Sequence, residues 1–332
     1  MLPTQSQTIR LYIPALIVLA GLSVVFALLT GSADVQWRSL WPFASAEADA
    51  MSHSIVWQLR LPRALRGFVV GALLSVAGVY MQVLLRNPLA DPYILGVSGG
   101  AAVGALLAIL IGLTSVVVSV GAAIGALLSM LLVFGLAHGR GSWSSTRLLL
   151  TGVVVAAGWG AMISLLLALS PDTMVRGMLF WLMGDLGHSA PPWWSGVILI
   201  ITLCVSFYFA RSLNVLAYGE KQAQSLGVSV TKLRVLLYVF GSLLTAAAVT
   251  LAGSVGFVGL VVPHMLRLIG GGDHRWLLPA AALLGGSLVV VADTLARTLL
   301  APQQLPVGVV TAFIGVPLFL YLLYRGSSSF RS

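Results

Sequence analysis

Few side chains in this sequence could do chemistry, and they fall into three groups. The stretch Asn214–Arg234, NVLAYGEKQAQSLGVSVTKLR, holds both lysines of the chain and lies between two long apolar runs. A second group is LRLPRALRG at 59–67, where Arg60, Arg63 and Arg66 crowd together. The third is Asp293, the one carboxylate inside an apolar run, with Arg297 one helical turn on as an available partner. Other chemistry finds no pattern to rest on. There is no G-x-x-x-x-G-K-[ST] loop to cradle ATP phosphates and no His-Glu-x-x-His or paired-cysteine arrangement for a metal. His53, His138, His188, His264 and His274 are scattered among loops and run ends, where they read as polar loop or cap residues. Cys204 is the only cysteine, expected as a small buried apolar residue, so the chain forms no internal disulfide. No catalytic residue and no metal ligand is assigned.

A basic, helix-forming insert between apolar runs can be a disordered loop, a helix lying on lipid, or a handle gripped by a soluble partner. The handle is the preferred reading. Tyr218–Leu226 reads as a short helix, with Glu220 in its first turn where the helix dipole favours an anion and Gly227 at its end. Ser229–Arg234 reads as a second short helix, and the two make a compact knob suited to a cleft. A secondary transporter places ionisable groups in mid-span to bind its coupling ion. Asp293 alone leaves such a motor underpowered, so energy is expected from outside the chain. The ion-coupled secondary transporter, acting without an ATPase, stays the alternative. A purely structural membrane anchor would have no use for these groups.

The elements that must position these residues are apolar helices. At 59% hydrophobic and 8% charged residues the sequence is not a soluble globular domain. At about 20 residues per span plus a short loop, its 332 residues could cross a bilayer about ten times as one domain. Apolar length places spans at 11–30, 61–84, 94–112, 115–137, 147–169, 192–210, 234–253, 256–270, 276–297 and 306–325. The first is read as a retained span, since it is longer than the apolar part of a signal peptide. The eighth is short and glycine-rich, as a half-span or broken helix would be. With the N-terminus inside, twelve of the 18 Lys and Arg residues fall on the inner side, which supports a multi-pass protein with both termini cytoplasmic. The net charge of +9 is then a loop property and not a nucleic-acid signal. Between spans five and six, MLFWLMGDL suggests a short amphipathic helix at the outer surface, ended by Gly184 or Gly187 and Pro191-Pro192, with Trp181, Trp193 and Trp194 in the interfacial belt. Small residues four apart (Gly67 and Gly71; Gly96, Gly100 and Gly104; Gly121 and Gly125) predict close helix packing.

Three blocks carry a family resemblance: LRLPRALRG with RNPLADPYILGVSGGA at 86–101, the handle, and GFVGLVVPHMLRLIGGGDHRWLLP at 256–279. With ADTLARTLLAPQQLPVGVVTAFIGVPLF at 292–319, the sequence from about residue 55 onward closely resembles the FecCD/BtuC-type permeases, which serve ATP-binding-cassette importers of iron-siderophores, haem and vitamin B12. The resemblance implies the all-α type II importer permease fold of about ten transmembrane helices, in the bacterial inner membrane. It implies a second copy of the chain, a pathway on the two-fold axis, two ATPase subunits inside carrying ATP and Mg, and a periplasmic substrate-binding protein outside. The chain itself would bind no cofactor, and its remaining partner is membrane lipid. Residue by residue, the handle over 216–233 becomes the coupling segment, with Leu216, Glu220, Lys221, Ala223 and Gly227 in its motif. Arg60, Arg63 and Arg297 become docking residues for acidic groups on the binding protein, a task suited to the guanidinium fork. Lipid-headgroup anchoring is their alternative. Asn87 and Leu89 in the N-P-L turn, with Ser145 and Thr146 before span five, become a cytoplasmic gate; turn and helix-cap roles remain open for them. Span five would line the path with Trp159, Ser164 and small apolar residues, a wall with few groups to hold a polar ligand. The cargo would be a metal chelate handed over from outside.

Overall fold

In the computed structural model the described residues are 5–33, 35, 37, 50–137, 145–187 and 191–329. Arg38, His138, Arg140, His188 and Arg331 lie outside them, as does most of the loop expected after the first span. Among the described residues the regular structure is entirely helical. The helices are α1 (Gln5–Leu29), α2 (Leu61–Leu84), α3 (Val97–Leu110), α4 (Ser115–Ala137), α5 (Ser145–Leu169), α6 (Asp172–Met183), α7 (Trp193–Ala217), α8 (Glu220–Ser225), α9 (Val230–Ala252), α10 (Val258–Gly270), α11 (His274–Thr298) and α12 (Val307–Ser329). A short helix, Ala50–Ser54, and a π-helical turn, Ile55–Arg60, run straight into α2.

Seven of these segments are long and apolar enough to cross a membrane, and α3, α10 and residues 307–322 of α12 are shorter apolar helices. The ten segments correspond to the ten expected spans. The short α3 and α10 reflect irregular backbone ahead of them. After α2 the chain turns through Arg86, at φ +49°, and a 3-10 turn over Pro92–Leu95 before α3 begins. After α9 it passes Gly253 and Phe257, both at positive φ, before α10 begins. Non-helical backbone at membrane depth requires internal hydrogen-bond partners. Here the two irregular stretches supply each other: the Tyr93 hydroxyl donates to the Val255 carbonyl at 3.1 Å and accepts from the Val255 amide at 3.0 Å.

The core is centred on α2, which is buried along most of its length and packs against α9, α10 and α11. Glycine permits the approach. A Cβ on Gly71 would strike the Gly285 backbone of α11, and one on Gly78 would strike the Gly259 backbone of α10. The expected stripes meet in the same way between α3 and α4, Gly100 against Gly125 and Gly104 against Gly121. The amphipathic α6 ends at Gly184, φ +86°, as its sequence predicted. Cys204 departs from expectation: it is exposed on α7 and not buried.

Candidate functional site

Two polar regions stand at opposite ends of the bundle. At one end the handle forms a knob. α8 is a single helix of six residues, and the second short helix expected at Ser229–Arg234 is instead the start of α9. Leu216 and Ala223 are buried beneath it. Gly227, at φ +77°, turns the chain so that the Val228 amide donates back to the Ala223 carbonyl at 2.9 Å. Lys221, Gln222, Gln224 and Ser225 face outward. Tyr218 and Leu226 are 83% and 69% exposed, an apolar surface at the tip of a polar element.

The role of Glu220 goes beyond the helix dipole. Its carboxylate accepts from Arg86 at 2.7 Å and also from Arg234. Arg86 precedes the N-P-L turn, and Arg234 lies in the first turns of α9. The knob is therefore tied to the turn that ends α2 and to the helix that follows. Sequence reasoning missed the Arg86 contact because 134 residues separate the partners.

The same end gathers three of the expected gate residues. Asn87 Oδ1 accepts from the Leu89 amide at 2.9 Å, which shapes the turn and leaves Leu89 half-exposed. Ser145 opens α5, and its hydroxyl donates 3.0 Å to the Leu84 carbonyl at the end of α2. That bond joins the turn to α5. Thr146 points outward without joining this network. On α5, Ser164 is exposed with its hydroxyl bonded to the Gly160 carbonyl at 3.0 Å. Trp159 is instead turned inward: its indole N–H donates to Ser129 Oγ at 2.9 Å, and it packs against Gly99. It braces α5 on α3 and α4, while Ala157, Gly160, Ala161, Ser164 and Ala168 make up a small-residue exposed face.

At the opposite end, Asp293 is clamped between two guanidinium groups. Arg63 donates two bonds of 2.9 Å, one to each carboxylate oxygen, and Arg297 donates one of 3.2 Å. Asp185 stands 3.9 Å from Arg63. The expected Asp293–Arg297 pair is present, and Arg63 from α2 completes it. A cavity of about 370 Å³ opens beside them, lined by Arg60, Arg63, Arg66, Arg297 and Gln304. Arg60 differs from its two expected companions. It is 5% exposed, and its guanidinium donates to the carbonyls of Leu28, Leu29 and Ala33, closing the C-terminal end of α1. A cation at that end satisfies carbonyls that have no partner within the helix. In this conformation Arg60 is a cap for α1 and presents no fork to the outside.

An all-helical bundle of ten apolar segments, with one protruding knob and an arginine-lined rim at the far end, is the arrangement of a membrane transport permease. The chain belongs to the FecCD transport family, which it matches over residues 17–325, so the family pattern reaches into α1 as well. It is 40% identical over 327 residues to the hemin transport system permease protein HmuU of Yersinia pestis, covering 95% of this chain and 96% of that one. It is 39% identical over 325 residues to the vitamin B12 import system permease protein BtuC of Citrobacter koseri, covering 97% and 96%. Its backbone superposes with a TM-score of 0.81 on an inward-facing ABC transporter of metal-chelate type, 30% identical, covering 94% of this chain and 98% of that one.

Proposed function

We propose that this chain is the membrane-spanning subunit of an ATP-binding-cassette importer that passes a metal chelate, such as a ferric siderophore, haem or a cobalamin, into the cytoplasm. The observation that carries the reading is the knob. Its exposed tip offers Tyr218, Lys221, Gln224 and Leu226 to a cleft, and its root is bonded through Glu220 to the turn beside the gate. A nucleotide-hydrolysing partner that moved the tip would move that turn. ATP and Mg belong to two such partners, and this chain holds neither.

The remaining assignments follow from the same reading. The knob end faces the cytoplasm with both termini, in the inner membrane and surrounded by lipid. The chain works as a homodimer, with the small-residue face of α5 toward the pathway. Arg63 and Arg297 at the far rim receive acidic groups of a periplasmic binding protein, and Arg60 shapes that rim by holding α1 in place. Asn87, Leu89 and Ser145 close the inner end, with Thr146 beside them. Asp293, held by two cations, is poorly placed to carry a coupling proton.

The test is reconstitution of the purified chain with the ATPase subunit of its own transport system. Leu226→Asp is expected to reduce stable association at least about tenfold, the usual effect of losing an apolar anchor. Equal association by wild type and Leu226→Asp would refute docking through the knob.

A further inference from the structure

A second cationic cavity lies at the knob end, separate from the knob tip. It measures about 260 Å³ and is lined by Gln82, Arg86, Asn87, Arg267, Gly272 and His274, among others. Arg267 is the unusual member. It is half-buried near the end of α10, and among the described residues its hydrogen-bond partner is the neutral amide oxygen of Gln82. That amide cannot be turned over to improve matters. Its nitrogen already donates to the carbonyls of Gly259 and Leu260, at 3.4 and 3.3 Å. The nearby carboxylates are engaged elsewhere. Glu220 holds Arg86 and Arg234, and Asp273 accepts from the Asn214 side chain at 2.8 Å and from the Arg275 amide at 3.1 Å.

A half-buried guanidinium carries five N–H donors and a full charge, and a single neutral amide leaves most of those donors for an anion in the cavity to complete. Arg86 lines the same space, so two forks from two different elements border one cavity. Paired guanidinium forks suit the tetrahedral oxygens of a phosphate group. Basic pockets between helices on the cytoplasmic side of a membrane are also where anionic headgroups are held. We propose that this pocket binds a phosphate group, supplied by an anionic phospholipid headgroup or by free phosphate in the cytosol. The occupant would share Arg86 with Glu220, and so it would act on the guanidinium that roots the knob.

The experiment uses the full-length protein in nanodiscs. Inorganic phosphate is titrated and followed by phosphorus NMR, and retention of phosphatidylglycerol against phosphatidylcholine is read by native mass spectrometry. Phosphate binding that falls at least about tenfold in Arg267→Gln, in line with loss of a charge-assisted fork, identifies free phosphate. Phosphatidylglycerol retention lost in the same variant, without phosphate binding, identifies the headgroup. Arg211→Gln, an exposed arginine on α7 outside the cavity, should change neither. The proposal is overturned if neither probe binds the wild type, or if Arg267→Gln behaves as Arg211→Gln does. Should Arg267→Gln not fold, Arg86→Gln decides by the same two readings, and unchanged binding of both probes in that variant counts against the proposal.

Discussion

Glu220 and Asp293 stand at opposite ends of the bundle, and each carboxylate bridges two arginines. Glu220 is partly solvated and joins segments that are expected to move. In the proposed coupling role its worth lies in transmission more than in stability, since partly solvated pairs contribute little. Glu220→Gln should keep the ATPase bound while cargo delivered per ATP falls about fivefold, the equivalent of ~1 kcal/mol of lost coupling. Parallel measurement of uptake and hydrolysis in proteoliposomes checks this, and a proportional fall in both would point to a merely structural role. Asp293 is 3% exposed, and its partner arginines are mostly hidden. Removing one member of such a cluster leaves uncompensated buried charge, which costs about 3 kcal/mol or more. Asp293→Asn should therefore lower the thermal midpoint of the purified protein clearly, whereas the charge reversals Arg63→Glu and Arg297→Glu should in addition abolish binding-protein docking.

At the scale of elements, the molecule depends on close helix approach at a few glycines. Gly104 sits against the Gly121 backbone, with no room for a side chain between α3 and α4. Gly104→Leu should force the two helices apart and destabilise the fold by at least ~1–3 kcal/mol, seen as earlier unfolding on heating in detergent.

For the whole molecule, the single chain leaves α5 largely uncovered: 11% of its most apolar stretch is buried. A helix with a small-residue face and so little cover suits a surface completed by a second copy. In a Cys204→Ser background, needed because that thiol is exposed, Ser164→Cys is expected to cross-link two chains under mild oxidation in membranes. Substitution at Leu131, on the exposed face of α4, should not. Cross-linking at Leu131→Cys and not at Ser164→Cys would place the two-fold axis elsewhere.

Apolar length determined the number of spans, because crossing a bilayer demands about 20 apolar residues whatever the partners. Glycine and proline punctuation likewise announced α6, the knob and the shortness of α10, since these are local backbone preferences. The blocks around residues 59–101, 216–233 and 256–319 were enough to identify the family. What they could not reveal, beyond the local Asp293–Arg297 pair, was which distant charges meet. Arg63 reaches Asp293 across 230 positions, Arg86 reaches Glu220 across 134, and Arg60 leaves the rim to cap α1. Only the packed bundle decides those pairings, because a buried charge takes whichever partner the fold brings within reach, and sequence distance does not constrain that choice.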